Sequence, residues 1–344
     1  MDMRVVITGV SGQDGALLAK MLVEKGYEVH GFIRRGSLPK TPRTDYLNIS
    51  KLISWHPVEL TEFANVLAAL KKIRPRYIYN LAAQSFVADS FLFPHLTNEI
   101  NYVGYLNILE SVRLLELNCR IYQASTSEMF GATAEQTLSE DSQFAPKSPY
   151  AVSKAASHYV GQNYREAYGM HISNGILFNH ESELRGREFV TRKVTLQLCE
   201  IAVGKRRVLG LGNLDSVRDW GYAGDYVKAM ELMVMQAVPD DYVVATNQIH
   251  TIRDLVRTAG KYVGFDIEFE GEGLREVGYD SKTGNLIVNV DPAYFRPSDV
   301  TYLKGDYSKI KRALGWEPLV GFDEMVRRMV EADQNRVCGE IHAF

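Results

Sequence analysis

The sequence of 344 residues lacks the features that mark membrane, secreted or nucleic-acid-binding proteins. No run approaches the roughly 18 apolar residues that a membrane span needs, and the first apolar stretch, 5–7, is too short for a signal peptide. The 39 basic and 42 acidic residues nearly cancel, which leaves a net charge of -3. This balance gives no electrostatic reason to expect nucleic acid or a membrane as a partner, and we expect a cytoplasmic protein.

Cysteine is also scarce. Cys119, Cys199 and Cys338 are odd in number and far apart, and they form no Cys-x-x-Cys or Cys/His cluster with metal-ligand spacing. We therefore expect reduced thiols, as in the cytoplasm, and no metal site. The sequence contains no internal repeat and no low-complexity tract, so the functional argument depends on its motifs.

The first half contains short β-branched or aromatic runs that alternate with longer segments of helical period. Such alternation predicts an α/β fold, a doubly wound parallel sheet covered by helices on both faces. The predicted strands are Arg4–Thr8, Glu28–Ile33, Ile53–Val58, Tyr77–Leu81, Ile121–Ala124 and Ile172–Leu177. The predicted helices are 13–26, 61–74, 95–116 and 150–169.

The second half is less regular, and a chain of this length accommodates two lobes. Residues 264–300 are rich in Gly, Asp and Glu, and within this range 271–273 and 282–285 are predicted to form turns or a mobile loop. Helical periodicity returns at 191–203, 225–237, 251–263, 307–314 and 321–333. We predict a dinucleotide-binding domain of 1–177, to which part of 221–250 returns, and a smaller, discontinuous α/β substrate domain of 178–220 and 251–335.

Glycines 9, 12 and 15 follow the first predicted strand and open the first predicted helix. Gly9 permits a tight turn, Gly12 lets the backbone approach a pyrophosphate, and Gly15 lets the helix pack closely on the sheet. The helix N-terminus, with Gln13 and Asp14, then directs its N–H groups at the phosphates. A glycine triplet alone is weak evidence, but its place between strand and helix favours a dinucleotide site over a plain turn.

The residues after the second strand indicate which dinucleotide binds. Arg34, Arg35 and Ser37 stand there instead of the acidic residue that usually binds the ribose 2′-hydroxyl of NAD. Two guanidinium groups suit a 2′-phosphate, which a carboxylate would repel. The alternative is that both arginines only solvate a loop. We predict NADP as the cofactor.

Tyr150 and Lys154 stand at i and i+4 of a predicted helix and therefore on one face. A phenol with its ordinary pKa of about 10 is a poor base at neutral pH. A nearby ammonium and the positive nicotinamide ring both favour the phenolate and lower that pKa. Tyr150 is then able to take a hydroxyl proton while a hydride leaves the same carbon. The alternative, a surface helix with a half-buried tyrosine, fits the upstream nucleotide motif less well.

Together with Asn80-Leu-Ala-Ala83, these motifs resemble those of an extended short-chain dehydrogenase/reductase with a Rossmann-type domain. Longer strings that span nearly the whole chain resemble the GDP-mannose 4,6-dehydratase family. They are Gly9–Asp14, Tyr122–Glu128, Asn174–Ser182, Phe189–Lys193, Gly212–Gly221 and Tyr294–Pro297. The string Asn-His-Glu-Ser at 179–182 is highly specific.

The resemblance implies a lyase of nucleotide-sugar metabolism and deoxysugar biosynthesis with four catalytic residues. Thr126 would hydrogen-bond the C4 oxygen, and Tyr150 and Lys154 would serve hydride transfer at C4. Glu128 would remove the C5 proton once C4 is a ketone. Related dehydratases carry an Asp before this Glu, whereas Ser127 stands here. A serine hydroxyl is not a ready proton donor at neutral pH, so Glu128 is predicted to act first as base and then as acid towards the leaving water.

The resemblance also assigns binding residues and a homo-oligomer, either a dimer or a tetramer, with 34–48 as a candidate interface. The cofactor positions are Gly9, Gly12, Gln13, Asp14, Gly15, Arg34, Arg35, Ser37, Glu59, Leu60, Leu81, Ala83, Ser85, Tyr150, Lys154, His180 and Arg185. The positions for the GDP-sugar are Ser85, Thr126, Ser127, Glu128, Asn179, Lys193, Arg218, Arg296 and Asp299. Cations from several segments that converge on a diphosphate make physical sense.

Departures from the family pattern leave the sugar open. After Ser182 the family's Pro-Arg-Arg-Gly is replaced by Glu-Leu-Arg-Gly, and its His after Ser85 is replaced by Phe86. The Asp-Leu pair that the family carries after the third strand, where it contacts adenine, is Glu59-Leu60 in this chain. The sugar is then GDP-mannose or, alternatively, GDP-D-glycero-D-manno-heptose. Two other hypotheses compete: a nucleotide-sugar 4-epimerase or 4-reductase, which needs no base at C5, and a non-catalytic NADP-binding regulator.

Overall fold

A computed structural model gives the fold of the chain and describes residues 3–34, 36, 41–131, 137–294 and 302–339. A parallel sheet of seven strands forms its centre. The strands are β1 (Arg4–Thr8), β2 (Glu28–Ile33), β3 (Ile53–Pro57), β4 (Tyr77–Asn80), β5 (Arg120–Thr126), β6 (His171–Leu177) and β11 (Tyr242–Val244). Their order is β11-β6-β5-β4-β1-β2-β3. The strands predicted in the first half are confirmed to within two residues at each end.

Helices cover both faces of this sheet, which confirms the predicted α/β fold. On one face α1 (Gln13–Glu24) and α9 (Ala223–Met235) share a buried apolar core with the strands. On the other face lie α3 (Phe63–Ile73), α6 (Gly104–Leu114) and α7 (Pro149–Tyr168). Shorter helices are α2 (Pro42–Tyr46), α4 (Val87–Leu92), α5 (Pro94–Asn98) and α11 (Ser308–Leu314).

The predicted helix 95–116 is interrupted in the structure. α5 ends at Asn98 and α6 begins at Gly104, with a π-helical turn, Glu99–Val103, between them. The turn directs the buried Asn101 side chain to Ser153 of α7 at 2.9 Å and to the backbone N–H of Gln84 at 2.9 Å. π turns of this kind are frequent near functional sites, and apolar periodicity gives no sign of them.

A second sheet and three helices form the other lobe. The strands are β8 (Leu209–Leu211), β13 (Ile267–Glu270), β14 (Val277–Asp280) and β15 (Leu286–Val290), in the order β13-β14-β15-β8. The helices are α8 (Val190–Ala202), α10 (Ile252–Val263) and α12 (Phe322–Val337). One buried apolar cluster joins these helices to the sheet.

No strand was predicted within 264–300, yet three strands lie there. β13, β14 and β15 pass through this range as antiparallel neighbours. Each is only four or five residues long, and the two exposed residues of β13 are the acidic Glu268 and Glu270, so the alternating pattern was too short to recognise. The two predicted turns are confirmed as the connections between these strands, with Gly271 and Gly284 in the left-handed region at φ 83° and 72°.

Short strands lie between the two lobes. They are β7 (Asn179–Glu181), β9 (Val217–Arg218), β10 (Trp220–Tyr222), β12 (His250–Thr251) and β16 (Tyr302–Leu303). β7 pairs with β10, and β9 lies between β12 and β16. The fully buried carboxylate of Asp219 holds this region together, because it accepts N–H hydrogen bonds from Thr246, Asn247 and Gly305.

The strand β11 was not among the predicted strands, since three residues are too few to show a pattern. It pairs in parallel with β6 at the edge of the large sheet. Asp241, the residue before it, accepts two hydrogen bonds from Arg165 of α7, at 2.8 and 2.9 Å, and one from Asn174 of β6. Within 221–250, therefore, β11 is a strand of the large sheet and α9 packs on one face of it.

A buried ion pair fixes α8 to α12. Arg192 Nε lies 2.7 Å from Asp333 Oδ1, and both side chains have an exposed fraction of zero. Asp333 also pairs with Arg336 at 3.0 Å and accepts a hydrogen bond from Thr195 at 2.7 Å. Burial lowers the pKa of Arg192 to about 10 and raises the pKa of Asp333. Desolvation thus opposes the pair, but removal of one partner alone costs more.

We predict that D333N lowers the free energy of unfolding by about 3–5 kcal/mol, because two guanidinium groups lose the buried carboxylate that balances them. Urea titration followed by circular dichroism measures this loss. The control is E24Q, which removes the carboxylate of the exposed pair with Lys20 and is expected to change stability little. Equal stabilities of the two variants would contradict the prediction.

Candidate functional site

The glycine-rich turn between β1 and α1 packs directly on the backbone that follows β4. A Cβ at Gly9, whose φ is 67°, would lie 2.8 Å from the amide nitrogen of Ala82. A Cβ at Gly15 would lie 2.3 Å from the carbonyl oxygen of Gly9. Thr8 joins the same two segments, since its hydroxyl accepts hydrogen bonds from the N–H groups of Leu81 and Ala82. Only glycine satisfies both close approaches.

The N-terminus of α1 fits a pyrophosphate group. Gly12 is its N-cap residue and offers no side-chain cap to the first N–H groups of the helix. A Cβ there would meet only the carbonyl oxygen of Gly9, at 3.2 Å, so the approach to the helix end stays open. Uncapped N–H groups and the positive end of the helix dipole are suited to an anion.

The residues expected at the cofactor's adenosine end are described only in part. Arg34 follows β2 and is exposed, whereas Arg35 and Ser37 lie outside the described residues. Glu59 is exposed beyond β3. Leu60 is buried, and its Cβ would lie 3.0 Å from a Cβ at Gly104 of α6. The Leu60 side chain therefore packs beneath α6.

The segment after β4 continues along the carboxyl edge of the sheet. Leu81 and Ala83 are half-buried and Ser85 is exposed. Phe86 follows, and its ring meets the ring of Phe189 edge to face, with centroids 6.0 Å apart. The guanidinium of Arg185 lies 3.5 Å from the centre of the Phe189 ring on its face. Phe86 and Phe189 therefore form an aromatic wall beside Arg185, which the sequence analysis did not identify.

Thr126, Tyr150 and Lys154 converge at the end of β5. Thr126 is the last residue of β5, while Tyr150 stands in the first turn of α7, which begins at Pro149. Ser148 caps this helix by accepting a hydrogen bond from the N–H of Ala151 at 3.1 Å. The Lys154 ammonium donates to the carbonyl oxygen of Ala124 at 2.9 Å. All three side chains are at most 9% exposed.

The pKa values in this cluster depend chiefly on burial. Burial raises the pKa of Tyr150 to about 12, against a lowering effect of its hydrogen bond with Thr126, and the carboxylate of Glu128 raises it further. Burial lowers the pKa of Lys154 to about 8. The expected lowering of the Tyr150 pKa is therefore not produced by the protein's own groups, because desolvation of the phenolate outweighs them.

Glu128 lies two residues after Thr126, in a short turn that Thr126 caps. Residues Ser127–Phe130 form a 3-10 turn, and the hydroxyl of Thr126 accepts a hydrogen bond from the Glu128 N–H at 3.3 Å. Ser127 is buried. The carboxylate of Glu128 acts on the pKa of Tyr150, so the two groups share one site. The cluster thus offers a phenol, an amine, a hydroxyl and a carboxylate at one end of β5.

The segment after β6 closes the site against α1. His180 Nε2 lies 2.8 Å from Oδ2 of Asp14. Gln13 donates to the carbonyl oxygen of His180 at 3.1 Å and accepts a hydrogen bond from the Ser182 hydroxyl at 2.9 Å. The sequence analysis assigned Gln13, Asp14 and His180 separately and did not pair them. It did not assign Ser182 a role, because a contact over 169 positions leaves no local signal.

The residues expected to bind the substrate lie along the same edge. Asn179 Oδ1 is buried without a hydrogen-bond partner among the described residues, as expected of an atom that meets a ligand. The Lys193 ammonium lies 3.3 Å from the centre of the Tyr294 ring, and Arg218 pairs with Leu303 in β16. Arg296 and Asp299 lie outside the described residues.

The described part of the chain contains neither a metal-binding cluster nor a membrane-spanning helix. Within it, no group of three or more His, Cys, Asp or Glu side chains is arranged to hold a metal ion. None of the helices described is both long enough and apolar enough to cross a membrane. Cys119 and Cys199 are buried and Cys338 is exposed, each as a free thiol.

Comparison with known proteins gives matches over almost the whole chain. The family model described as GDP-mannose 4,6 dehydratase matches residues 6–329. The GDP-mannose 4,6-dehydratase of Yersinia enterocolitica is 46% identical and covers 96% of this chain and 93% of its own length. The UDP-glucose 4-epimerase of Thermus thermophilus, solved with NAD, is 26% identical, with a TM-score of 0.78 over 96% and 99% of the two chains. RMD from Pseudomonas aeruginosa, solved with NADPH, is 21% identical with a TM-score of 0.76 over 97% and 100%, a likeness of fold alone.

We predict that G15A and G12A have different effects on stability. In G15A the new methyl group meets backbone that has to move, so the free energy of unfolding falls by about 1–3 kcal/mol and dinucleotide binding is lost. In G12A the methyl group projects where a phosphate would approach, so binding weakens while stability changes little. Thermal unfolding and fluorescence titration with NADPH measure both quantities. A G15A protein as stable as G12A would contradict the packing argument.

Proposed function

Because the chain belongs to the GDP-mannose 4,6 dehydratase family, we propose that it removes water from GDP-mannose to give a GDP-4-keto-6-deoxy sugar. The observation that carries this proposal is the convergence of Thr126, Glu128, Tyr150 and Lys154 at the end of β5. Three of these residues serve hydride chemistry at a carbinol carbon. Glu128 adds the base that an elimination requires.

The cofactor in this proposal is NADP, held by the glycine-rich turn, the N-terminus of α1 and the segment after β4. Relatives of this fold were solved with NAD and with NADPH, and the close approaches at Gly9 and Gly15 fit a dinucleotide of either kind. The exposed guanidinium of Arg34 favours the 2′-phosphate form. When bound, the oxidised dinucleotide accepts the C4 hydride and later returns it to C6, and its positive ring favours the phenolate of Tyr150.

The protein's own residues move the protons. Tyr150 Oη takes the proton of the C4 hydroxyl, and Thr126 hydrogen-bonds the C4 oxygen as it becomes a ketone. The Lys154 ammonium, held by the Ala124 carbonyl oxygen, keeps a positive charge beside this pair. The ketone acidifies the hydrogen on C5, which the Glu128 carboxylate removes.

Glu128 then gives the same proton to the leaving C6 hydroxyl, which departs as water. Ser127, whose hydroxyl is not a ready proton donor, leaves this second role to Glu128 as well. The hydride removed from C4 would end on C6, C5 would take up a proton to replace the one it lost, and Tyr150 would give up the proton it took from the C4 hydroxyl. The dinucleotide is therefore regenerated in each turnover, and the overall reaction is a loss of water without net redox change.

The GDP moiety is assigned to Asn179, Lys193 and Arg218, with Arg296 and Asp299, and the sugar to Ser85 and the catalytic cluster. The Oδ1 atom of Asn179, which is buried without a hydrogen-bond partner among the described residues, supports this arrangement. The curated relatives are named for GDP-mannose, which does not favour the heptose alternative. The enzyme is proposed to act in the cytoplasm as a homo-oligomer, a dimer or tetramer.

We predict that E128Q still oxidises C4 but no longer dehydrates GDP-mannose, with a loss of product formation of about 10²–10⁴-fold. The wild-type protein, incubated with GDP-mannose and no added cofactor, is expected to give a product lighter by one water in the mass spectrum. E128Q should also retain the C5 hydrogen in D₂O. E166Q, which changes an exposed glutamate of α7, is the matched control and should keep the wild-type rate.

Two outcomes would count against this assignment. If E128Q forms product as fast as the wild type, Glu128 is not the base. If the wild-type protein isomerises or reduces GDP-sugars without losing water, the chain is an epimerase or reductase on the same scaffold. No turnover combined with normal NADPH binding would favour a regulator.

A separate prediction concerns the choice between NADP and NAD. R34A is expected to weaken NADPH binding by about 10–100-fold, the value of a charge-assisted hydrogen bond, while NADH binding stays nearly unchanged. Fluorescence titration with each dinucleotide gives the ratio of dissociation constants. The control is R257A, which removes an exposed arginine of α10, far along the chain from Arg34. An unchanged ratio in R34A would remove Arg34 from the cofactor site.

A further inference from the structure

Both ring nitrogens of His180 face hydrogen-bond acceptors. Nδ1 lies 2.7 Å from the carbonyl oxygen of Phe178, and Nε2 lies 2.8 Å from Oδ2 of Asp14. A neutral imidazole carries a single N–H and donates to only one of two acceptors. Because the pKa of Asp14 is lowered and its side chain is a carboxylate, both nitrogens find an acceptor and donate to it only when His180 is an imidazolium.

The electrostatics agree with this geometry. Burial alone lowers the pKa of His180, but the Asp14 carboxylate and its hydrogen bond outweigh burial and raise that pKa. Burial likewise raises the pKa of Asp14, and His180 outweighs it and lowers that pKa. The positive charge of Arg185 acts in the opposite direction and lowers the pKa of His180. Glu181 of β7 lies close enough to interact with His180. The Tyr226 ring of α9 stacks on the His180 ring, with centroids 4.6 Å apart.

The pair connects two segments that are far apart in the sequence. Asp14 belongs to the first turn of α1, and His180 belongs to β7. Gln13 bonds the same segment through His180 and Ser182, and Arg43 of α2 bonds both Ser11 and Leu184 through their carbonyl oxygens. Of these contacts, the pair between His180 and Asp14 is the one that includes a histidine, whose ordinary pKa is about 6.5.

We propose that His180 and Asp14 form a proton-dependent latch that holds the N-terminal turn of α1 against 178–185 and so retains the dinucleotide in its site. His180 is in this view a positioning residue. The latch rests on the proposed function only in taking a nicotinamide dinucleotide as the ligand. It also balances charge beneath the catalytic pair, because the carboxylate of Asp14 acts on Tyr150 and Lys154.

The direction of the pH dependence follows from the raised pKa of His180. The ion pair is fully formed below the ordinary histidine pKa of about 6.5 and is lost as the pH rises through the raised value. The release rate of bound NADPH is therefore expected to increase with pH across that range. The loss of one charge-assisted hydrogen bond corresponds to an increase of about 10–100-fold.

The experiment measures release of NADPH from the loaded protein between pH 6 and pH 9, by its fluorescence after displacement with excess NADP⁺. H180Q offers one donor nitrogen and cannot reach both acceptors, so it is expected to release NADPH quickly and at the same rate at every pH. H95Q, which changes an exposed histidine of α5, is the matched control and should keep the wild-type profile.

Nitrogen-15 NMR of the histidine rings tests the protonation state directly. The His180 signals, assigned by their absence in H180Q, are expected to show a doubly protonated ring at pH 7. If H180Q does not fold, the shift of the signals in D14N assigns them instead. A neutral His180 ring at pH 7 would overturn the proposal.

The two proposals fail in different ways. A protein that dehydrates GDP-mannose but releases NADPH at a rate independent of pH and of H180Q has no latch, and its proposed function stands. A protein that shows the pH-dependent release and no dehydration keeps the latch and loses the proposed reaction.

Discussion

The site depends on one close contact, that between the backbone of the glycine-rich turn and the backbone that follows β4. At Gly9 and Gly15 there is no space for a Cβ, and the Thr8 hydroxyl binds the N–H groups of Leu81 and Ala82 at 3.1 and 3.0 Å. This contact brings the N-terminus of α1 to the carboxyl edge of the sheet. Every proposed cofactor or catalytic contact is built outward from that edge, as expected for open parallel sheets.

The same edge explains the electrostatics. Burial at the end of β5 raises the pKa of Tyr150 to about 12 and lowers the pKa of Lys154 to about 8, so it opposes the charged form of each group. Charges brought by a ligand therefore act strongly there, since little solvent screens them. In the proposed reaction, Tyr150 becomes a base only when the positive nicotinamide ring lies beside it.

The sequence indicated much of this arrangement because its signals were local. Gly9, Gly12 and Gly15 lie within one turn, and Tyr150 and Lys154 lie on one helical turn. The π turn at 99–103 and the short β11 gave no periodic signal, and β13–β15 were missed because each is only four or five residues long. The contacts of His180 with Asp14 and of Ser182 with Gln13 span more than 160 positions, so only the folded chain reveals them.

In the proposed reaction, the difference between an oxidoreductase and a lyase on this scaffold lies in one turn of backbone. Thr126, the residue proposed to bind the C4 oxygen, accepts the N–H of Glu128, and the 3-10 turn that begins after it is buried at Ser127, Met129 and Phe130. The group proposed for C4 and the base proposed for C5 are therefore fixed to one piece of chain. Chemistry at two adjacent carbons of a sugar would need two groups at a constant spacing, and a capped, buried turn provides such a spacing. Solved relatives with the same fold include a 4-epimerase, whose chemistry at C4 alone requires no such second group.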